Sequence, residues 1–121
     1  MRFFPLHVHS HYSLLDGLSK PKDIANRCEE LGLEGSALTD HGTVGGAVSF
    51  IGAMKKKKKK AILGCEFYLC KDATDKTKNR EKLSHLVVLA KNETGWKRLL
   101  GATSESNKPD FFYYKPRLDL E

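Results

Sequence analysis

Apolar residues in this chain come in short bursts, and their spacing switches repeatedly between strand-like and helix-like. Phe3 to Val8 is a compact apolar run of strand length, and the polar, turn-rich stretch Ser10 to Gly17 reads as a loop. Ser19 can cap a helix starting near Lys20, with Pro21 tolerated in the first turn and Asp23 facing the positive helix end. Ile24, Cys28 and Leu31 recur at i, i+4 and i+7 as one apolar stripe, and Gly32 stops that helix. Ser36 to Thr39 predicts a second strand and Val44 to about Lys58 a second helix. Ala61-Ile62-Leu63 predicts a third strand ending at Gly64-Cys65-Glu66, which Phe67 to Cys70 either extends or turns into a hairpin. Lys71 to Lys82 is charged without an apolar period and reads as an exposed loop. Leu83 to Ala90 is a further strand, and Asn92 can cap a last helix that presents Trp96, Leu99, Leu100 and Thr103 on one face. The aromatic and basic tail from Asn107 onward carries no assignable period. Strand followed by helix, repeated, is the α/β pattern, in which ligands collect beyond the carboxyl ends of parallel strands.

Length and composition narrow this further. The 121 residues form at most one domain, and 40% hydrophobic residues suffice for an ordinary core. The net charge of +6 suits a polyanionic partner, yet six of the 21 basic residues sit in the single run Lys55 to Lys60 and read first as a solvated helix face. Cys28, Cys65 and Cys70 are odd in number and lack zinc-knuckle spacing, so they read as reduced thiols. With no signal peptide ahead of the first strand and no apolar stretch of about 20 residues, a soluble, cytoplasmic protein without membrane contact is expected.

Candidate chemistry sits where strands end. His7 and His9 are two apart, so in a strand they leave on the same face, and neutral imidazole is the commonest protein metal ligand. Asp16 follows in the loop, Asp40 and His41 close the second strand, Glu66 the third, and His85 lies in the fourth. A parallel sheet would gather these groups on one rim. Mixed imidazole and carboxylate ligands suit zinc, manganese or iron, and clusters of such ions hydrolyse phosphate esters. Each residue also has a plainer role open to it. Asp40 can cap the next helix or orient His41, Asp16-Gly17 is a common turn, His11 beside Tyr12 can face solvent, and His85 can be a satisfied core histidine. Ser10, Ser13 and the cysteines are not spaced with a base that would make them nucleophiles.

Taken in order, His7-Val8-His9-Ser10-His11-Tyr12-Ser13-Leu14-Leu15-Asp16-Gly17, Leu38-Thr39-Asp40-His41-Gly42, Ile62-Leu63-Gly64-Cys65-Glu66, His85 to Gly95 and Phe112 to Arg117 resemble the N-terminal PHP (polymerase and histidinol phosphatase) domain of bacterial DNA polymerase III alpha subunits. The resemblance runs essentially end to end. It implies a site for up to three divalent ions: His7, His9 and Glu66 on the first, Glu66 bridging to a second shared with His85, and Asp16 with His41 on the third. Asp40 and His11 would stand behind these ligands. It also implies metal-dependent 3′–5′ exonuclease chemistry of a proofreading kind, with a hydroxide on the metal as nucleophile. The partners it implies are DNA, the polymerase core and a proofreading subunit. Some alpha subunits keep this domain only as a scaffold, which is the alternative reading.

Two departures from that family stand out. Its PHP domain is a distorted (β/α) barrel of about seven βα units, so residues 1–121 correspond to roughly the first half. The second-half ligands (a His or Cys, and an Asp-x-His pair) and the polymerase palm, fingers and thumb are absent, so the chain alone should neither polymerise DNA nor be fully active. A remaining part of the subunit or a second chain would complete the barrel, and an open sheet edge predicts self-association. The second departure is Lys55 to Lys60, where the family usually has Gly and an aliphatic residue before the third strand. A left-handed cap at lysine costs about 1 kcal/mol, so a longer or frayed helix and a looser join are expected. A stand-alone phosphatase and a metal-free basic nucleic-acid module are further readings, the first disfavoured by the polymerase-like His85 to Gly95.

Overall fold

A ten-residue strand organises the molecule. The computed structural model describes residues 3–77 and 82–120, with elements in the order α1 (Pro21–Glu30), β1 (Gly35–Leu38), α2 (Ala47–Lys56), β2 (Lys60–Leu69), β3 (Ser84–Leu89), α3 (Glu93–Ser106) and β4 (Arg117–Leu118). β2 is long because different partners satisfy its backbone along its two edges. β1 runs parallel to its first half, from Gly35 opposite Lys60 to Leu38 opposite Leu63. β3 runs antiparallel to its second half, from Leu89 opposite Gly64 to Ser84 opposite Leu69. β4 pairs parallel with Tyr68 and Leu69. The sheet is therefore mixed, where an all-parallel one was expected.

Side-chain alternation along β2 sorts the two faces. Ala61 and Leu63 join Ile24, Cys28, Phe50 and Met54 in a core between the sheet and α1–α2. Cys65, Phe67 and Leu69 continue toward α3, meeting Trp96, Leu99 and Ala102. The α3 stripe is thus Trp96, Leu99 and Ala102; Leu100, expected on it, is exposed. Among the described residues no helix is long and apolar enough to cross a membrane.

Four local expectations are corrected. Phe3 to Val8 is not a strand: Ala37 N–H donates to Pro5 O and Thr39 N–H to Val8 O, both at 2.8 Å, so two steps of one chain meet three of the other and the ladder slips. Instead, the Thr39 hydroxyl accepts from Val8 N–H and donates to Val8 O. The cap of α1 is Lys20 rather than Ser19, and the Asp23 carboxylate accepts from Lys20 N–H at 3.0 Å. α2 starts at Ala47, not Val44, and is neither long nor frayed. It ends at Lys56 with Lys58 in the left-handed region, φ 54°, while Lys59 N–H reaches back to Met54 O at 2.9 Å. Lysine thus occupies the position glycine usually takes, and the join is tied by Lys57 Nζ to Glu29 at 2.6 Å and Lys59 Nζ to Leu33 O at 2.7 Å. The charged loop is irregular from Lys71 to Thr77; residues 78–81 lie outside the described residues.

The unassigned tail is anchored by a buried arginine. Arg117 donates to Ala73 O at 2.7 Å and to Asp75 O and Phe111 O at 3.2 Å, which fastens the loop after β2 to β4.

Replacing Lys58 by glycine should remove the left-handed strain and stabilise the protein by about 1 kcal/mol. Urea denaturation of wild type and Lys58→Gly checks this; an unchanged or lower midpoint contradicts it.

Candidate metal centre

On the sheet face away from the helices, Glu66 and Tyr68 project from β2, and Glu66 is almost fully buried. Residues 39–42 carry His41 alongside: Glu66 N–H donates to Asp40 O at 3.0 Å and Gly42 N–H to Glu66 O at 2.8 Å. Gly42 then turns the chain with φ 61°, and a Cβ there would lie 2.6 Å from Pro116 Cγ, so only glycine fits. His41 Nδ1 ends 3.5 Å from Glu66 Oε2, and its Nε2 lies 3.1 Å from Asp16 Oδ2.

The slipped N-terminal segment still brings its two histidines together. Nε2 of His7 and Nε2 of His9 each lie 2.9 Å from Glu66 Oε2. His85 arrives by another route. Because β3 is antiparallel, its beginning meets the end of β2; His85 pairs with Tyr68 and sits diagonal to Glu66. Its Nδ1 is 3.1 Å from Glu66 Oε1. Asp16 depends on a tight loop, in which Asp16 and Gly17 N–H both donate to Ser13 O. A Cβ on Gly17 would lie 1.9 Å from Ser10 O, which explains the glycine after Asp16.

Asp40 holds this arrangement from behind. Fully buried, it accepts from Ser10 N–H at 2.6 Å, the Ser10 hydroxyl at 2.9 Å and the Ser13 hydroxyl at 2.8 Å. Ser13 Oγ in turn accepts from His41 N–H at 3.0 Å. Asp40 therefore caps no helix; it positions the Ser10–Ser13 loop and, through Ser13, the backbone of His41. Both serines are spent in these bonds, in keeping with their exclusion as nucleophiles.

The electrostatics favour an anionic carboxylate at Glu66. Burial alone would raise the Glu66 carboxyl, but the His7 hydrogen bond and the charges of His41, His7 and His9 outweigh it and hold the group below its ordinary value. Burial, reinforced by His9, pushes His41 down against the opposing pull of Glu66 and Asp16. Burial drives the neighbouring Cys65 thiol up to about 12, and its side chain lies in the helix-side core with Phe67 and Leu99, away from the ligand face. Nδ1 of His9 and of His41 are buried without a hydrogen-bond partner. Ligand atoms fall into three groups, each within 4.8 Å: His7, His9 and Glu66; His41, Glu66 and His85; His9, Asp16 and His41. Imidazoles crowded on two carboxylates are the donor set that a divalent cation fits.

The PHP domain family matches residues 5–121. The chain belongs to that family. This PHP domain is 46% identical over 123 residues to DNA polymerase III subunit alpha of Borreliella burgdorferi, a match covering 99% of the chain and 11% of that protein. The Treponema pallidum subunit is 44% identical over 125 residues, covering 100% of the chain and 10% of that protein. The chain thus spans about a tenth of these relatives' length. Among solved structures it shares its fold with a Bifidobacterium adolescentis protein provisionally described as a metal-dependent phosphoesterase (TM-score 0.59, 22% identity, 84% of this chain and 33% of that one). An amidohydrolase from Chromobacterium violaceum is similarly related (TM-score 0.58, 23% identity, 84% of this chain and 34% of that one).

Six residues singled out in the sequence of this PHP domain, His7, His9, Asp16, His41, Glu66 and His85, converge. His11 does not join them: its exposed ring packs edge-on against Tyr12 at 4.6 Å, and it lines a separate cleft with Lys20, Lys22 and Lys56. Tyr68 escaped notice. Its ring stacks on His41 at 5.6 Å and meets His85 edge-on at 5.1 Å, restricting both. The signal for it was its position two residues beyond Glu66 on the same strand face.

Asp40→Ala strands a buried N–H and two hydroxyls, and should cost at least about 2 kcal/mol. A urea titration showing a loss under 1 kcal/mol, roughly the value of one ordinary hydrogen bond, would contradict the positioning role. Acid should also destabilise the chelator-treated protein. His41 is harder to protonate folded than unfolded, so its contribution is complete above its ordinary 6.5 and fades as pH falls. Glu66 acts in the same direction below its ordinary 4.5, because there too the unfolded chain binds more protons. Urea midpoints should therefore fall from about pH 7.5 to pH 4, and His41→Gln should flatten the upper part of that decline.

Proposed function

We propose that this PHP domain is the metal-binding segment of a replicative DNA polymerase III alpha subunit and carries part of a metal-dependent phosphodiesterase site. In the complete domain that site works as a 3′–5′ exonuclease on DNA, in the cytoplasm. One observation carries the reading: a buried carboxylate, Glu66, receives four imidazoles within 2.9–3.5 Å, while Asp16 closes on one of them from the far side. His7, His9 and Glu66 would hold one ion, Glu66 and His85 a second beside His41, and Asp16 with His41 a third. Zinc, manganese or iron bound there would polarise a phosphoryl oxygen and lower the pKa of water. The chain's own residues supply the rest. Glu66 would be shared between ions through its carboxylate, Asp40 and Ser13 fix the backbone of His41, and Tyr68 keeps the rings of His41 and His85 from turning away.

The partial-barrel reading finds support at the sheet edge. The outer edge of β3 has no strand partner among the described residues, and it is where a second half, supplied by the remainder of the subunit or another chain, would pair. A second copy could occupy the same edge. The scaffold reading draws on a different feature: Leu14, Leu15 and Leu18 stand almost fully exposed together in one loop, a surface suited to the polymerase core or a proofreading subunit.

Metal content by plasma mass spectrometry, on protein purified without chelator, tests the proposal. Wild type should retain divalent metal in stoichiometric amounts, and His9→Ala should lose at least about tenfold in affinity. Equal metal in both, or none in either, would contradict a ligand set assembled within this chain.

A further inference from the structure

Opening onto the ligand cluster, on the same face, lies a cleft of about 670 Å³ walled by Asp16, His41, Tyr68, His85, Tyr114 and Lys115. Asp16, His41 and His85 belong to the ligand cluster; Tyr114 and Lys115, on the opposite wall, do not. Lys115 Nζ stands 4.6 Å from the centre of the Tyr68 ring, and Tyr68 stacks on His41 with 5.6 Å between ring centres and 16° between planes. A fixed cation therefore sits one aromatic ring away from the candidate ligands. Among the described residues no carboxylate pairs with Lys115. The ring face orients the ammonium but leaves its three donors largely unused.

The residue before it is equally unusual. Tyr114 is 82% exposed and has φ 57°, a backbone region a bulky residue rarely adopts. The neighbouring residues Tyr113 and Lys115 bridge to each other, so Tyr114 forms the tip of a tight turn on the cleft wall. The Tyr114 ring is braced edge-on by Tyr113 at 4.6 Å, and an exposed ring so held, beside a cation with no carboxylate partner among the described residues, is the combination that binds a base and its phosphate together, the ring by stacking and the cation by charge.

We infer that this cleft is a nucleotide subsite, in which Lys115 pairs with a phosphate group and Tyr114 stacks on the adjoining base. The inference rests on the phosphodiesterase reading for its purpose, since it says how a DNA end would be held against the ligand cluster. Its geometry does not depend on metal.

Calorimetric titration of the full chain with thymidine 5′-monophosphate, inorganic phosphate and thymidine, without added metal, tests it. Lys115→Met should weaken the monophosphate and inorganic phosphate at least tenfold and leave thymidine unchanged. Tyr114→Ala should weaken the monophosphate and thymidine several-fold and leave inorganic phosphate unchanged. Lys115→Arg keeps the charge and should keep monophosphate binding within threefold; loss in Arg and Met alike would assign Lys115 a structural role and overturn the inference. So would a Lys115→Met variant that binds the monophosphate as wild type does, or a wild type that does not bind it. Manganese binding, measured in parallel by dialysis, separates the two readings. A wild type that takes up no manganese but loses the monophosphate on Lys115→Met refutes the metal site and upholds the subsite; the reverse pattern upholds the metal site alone.

Discussion

A buried carboxylate is the constraint on which the ligand-bearing face depends. Glu66 must face away from the helices because Cys65 and Phe67 on either side of it are committed to the core. An anion withdrawn from water costs several kcal/mol unless it is hydrogen-bonded or paired. The chain answers with imidazoles from three separate places: the N-terminal segment, the segment after β1, and the start of β3. Those rings have lone pairs of their own to satisfy, and crowding them on one carboxylate shifts the problem rather than closing it. Nδ1 of His9 and of His41 have no hydrogen-bond partner, and a divalent cation among these groups would neutralise the carboxylate and take imidazole lone pairs together.

The rest of the fold serves that geometry. β2 is the ruler: its alternation sets the two faces, its parallel edge carries His41 to Glu66, and its antiparallel edge carries His85 there from the opposite direction. Asp40 provides rigidity. By tying Ser10 and Ser13 it makes the loop bearing Asp16 and the backbone of His41 parts of one hydrogen-bonded unit. The helices contribute only the core against which β2 is pressed, so a strained lysine cap such as Lys58 is tolerated far from the chemistry.

Much of this was readable in the sequence, and the failures have identifiable causes. Helix positions followed from apolar spacing, and the Asn92 cap forms as expected, accepting from Gly95 N–H at 2.9 Å. Five of the six converging side chains were found because each closes or begins a strand-like run, and Asp16 because it lies in the loop just after the first. The direction of β3 was not readable, since a strand's own pattern is the same whichever way its partner runs; the ligands still gathered because His85 lies at the start of an antiparallel strand. The first strand failed for a tertiary reason, as the slip against β1 arises from pairing two segments 30 residues apart. The Lys55 to Lys60 run misled because propensity disfavours a left-handed lysine, while the contacts that hold this turn, Lys57 with Glu29 and Lys59 with Leu33 O, are tertiary and invisible in the local sequence. Tyr68 was readable by alternation. Lys115 was not, since only the turn after Tyr113 brings it over the Tyr68 ring.

The central claim is that Glu66 and its surrounding imidazoles form one divalent-metal ligand set. X-ray absorption spectroscopy of the zinc-loaded chain, compared with Glu66→Gln, tests this most directly. Wild type should show a nitrogen and oxygen shell with the outer scattering of several imidazoles, and Glu66→Gln should lose most of its bound zinc. A shell of oxygen alone, or the same spectrum in both proteins, would contradict it.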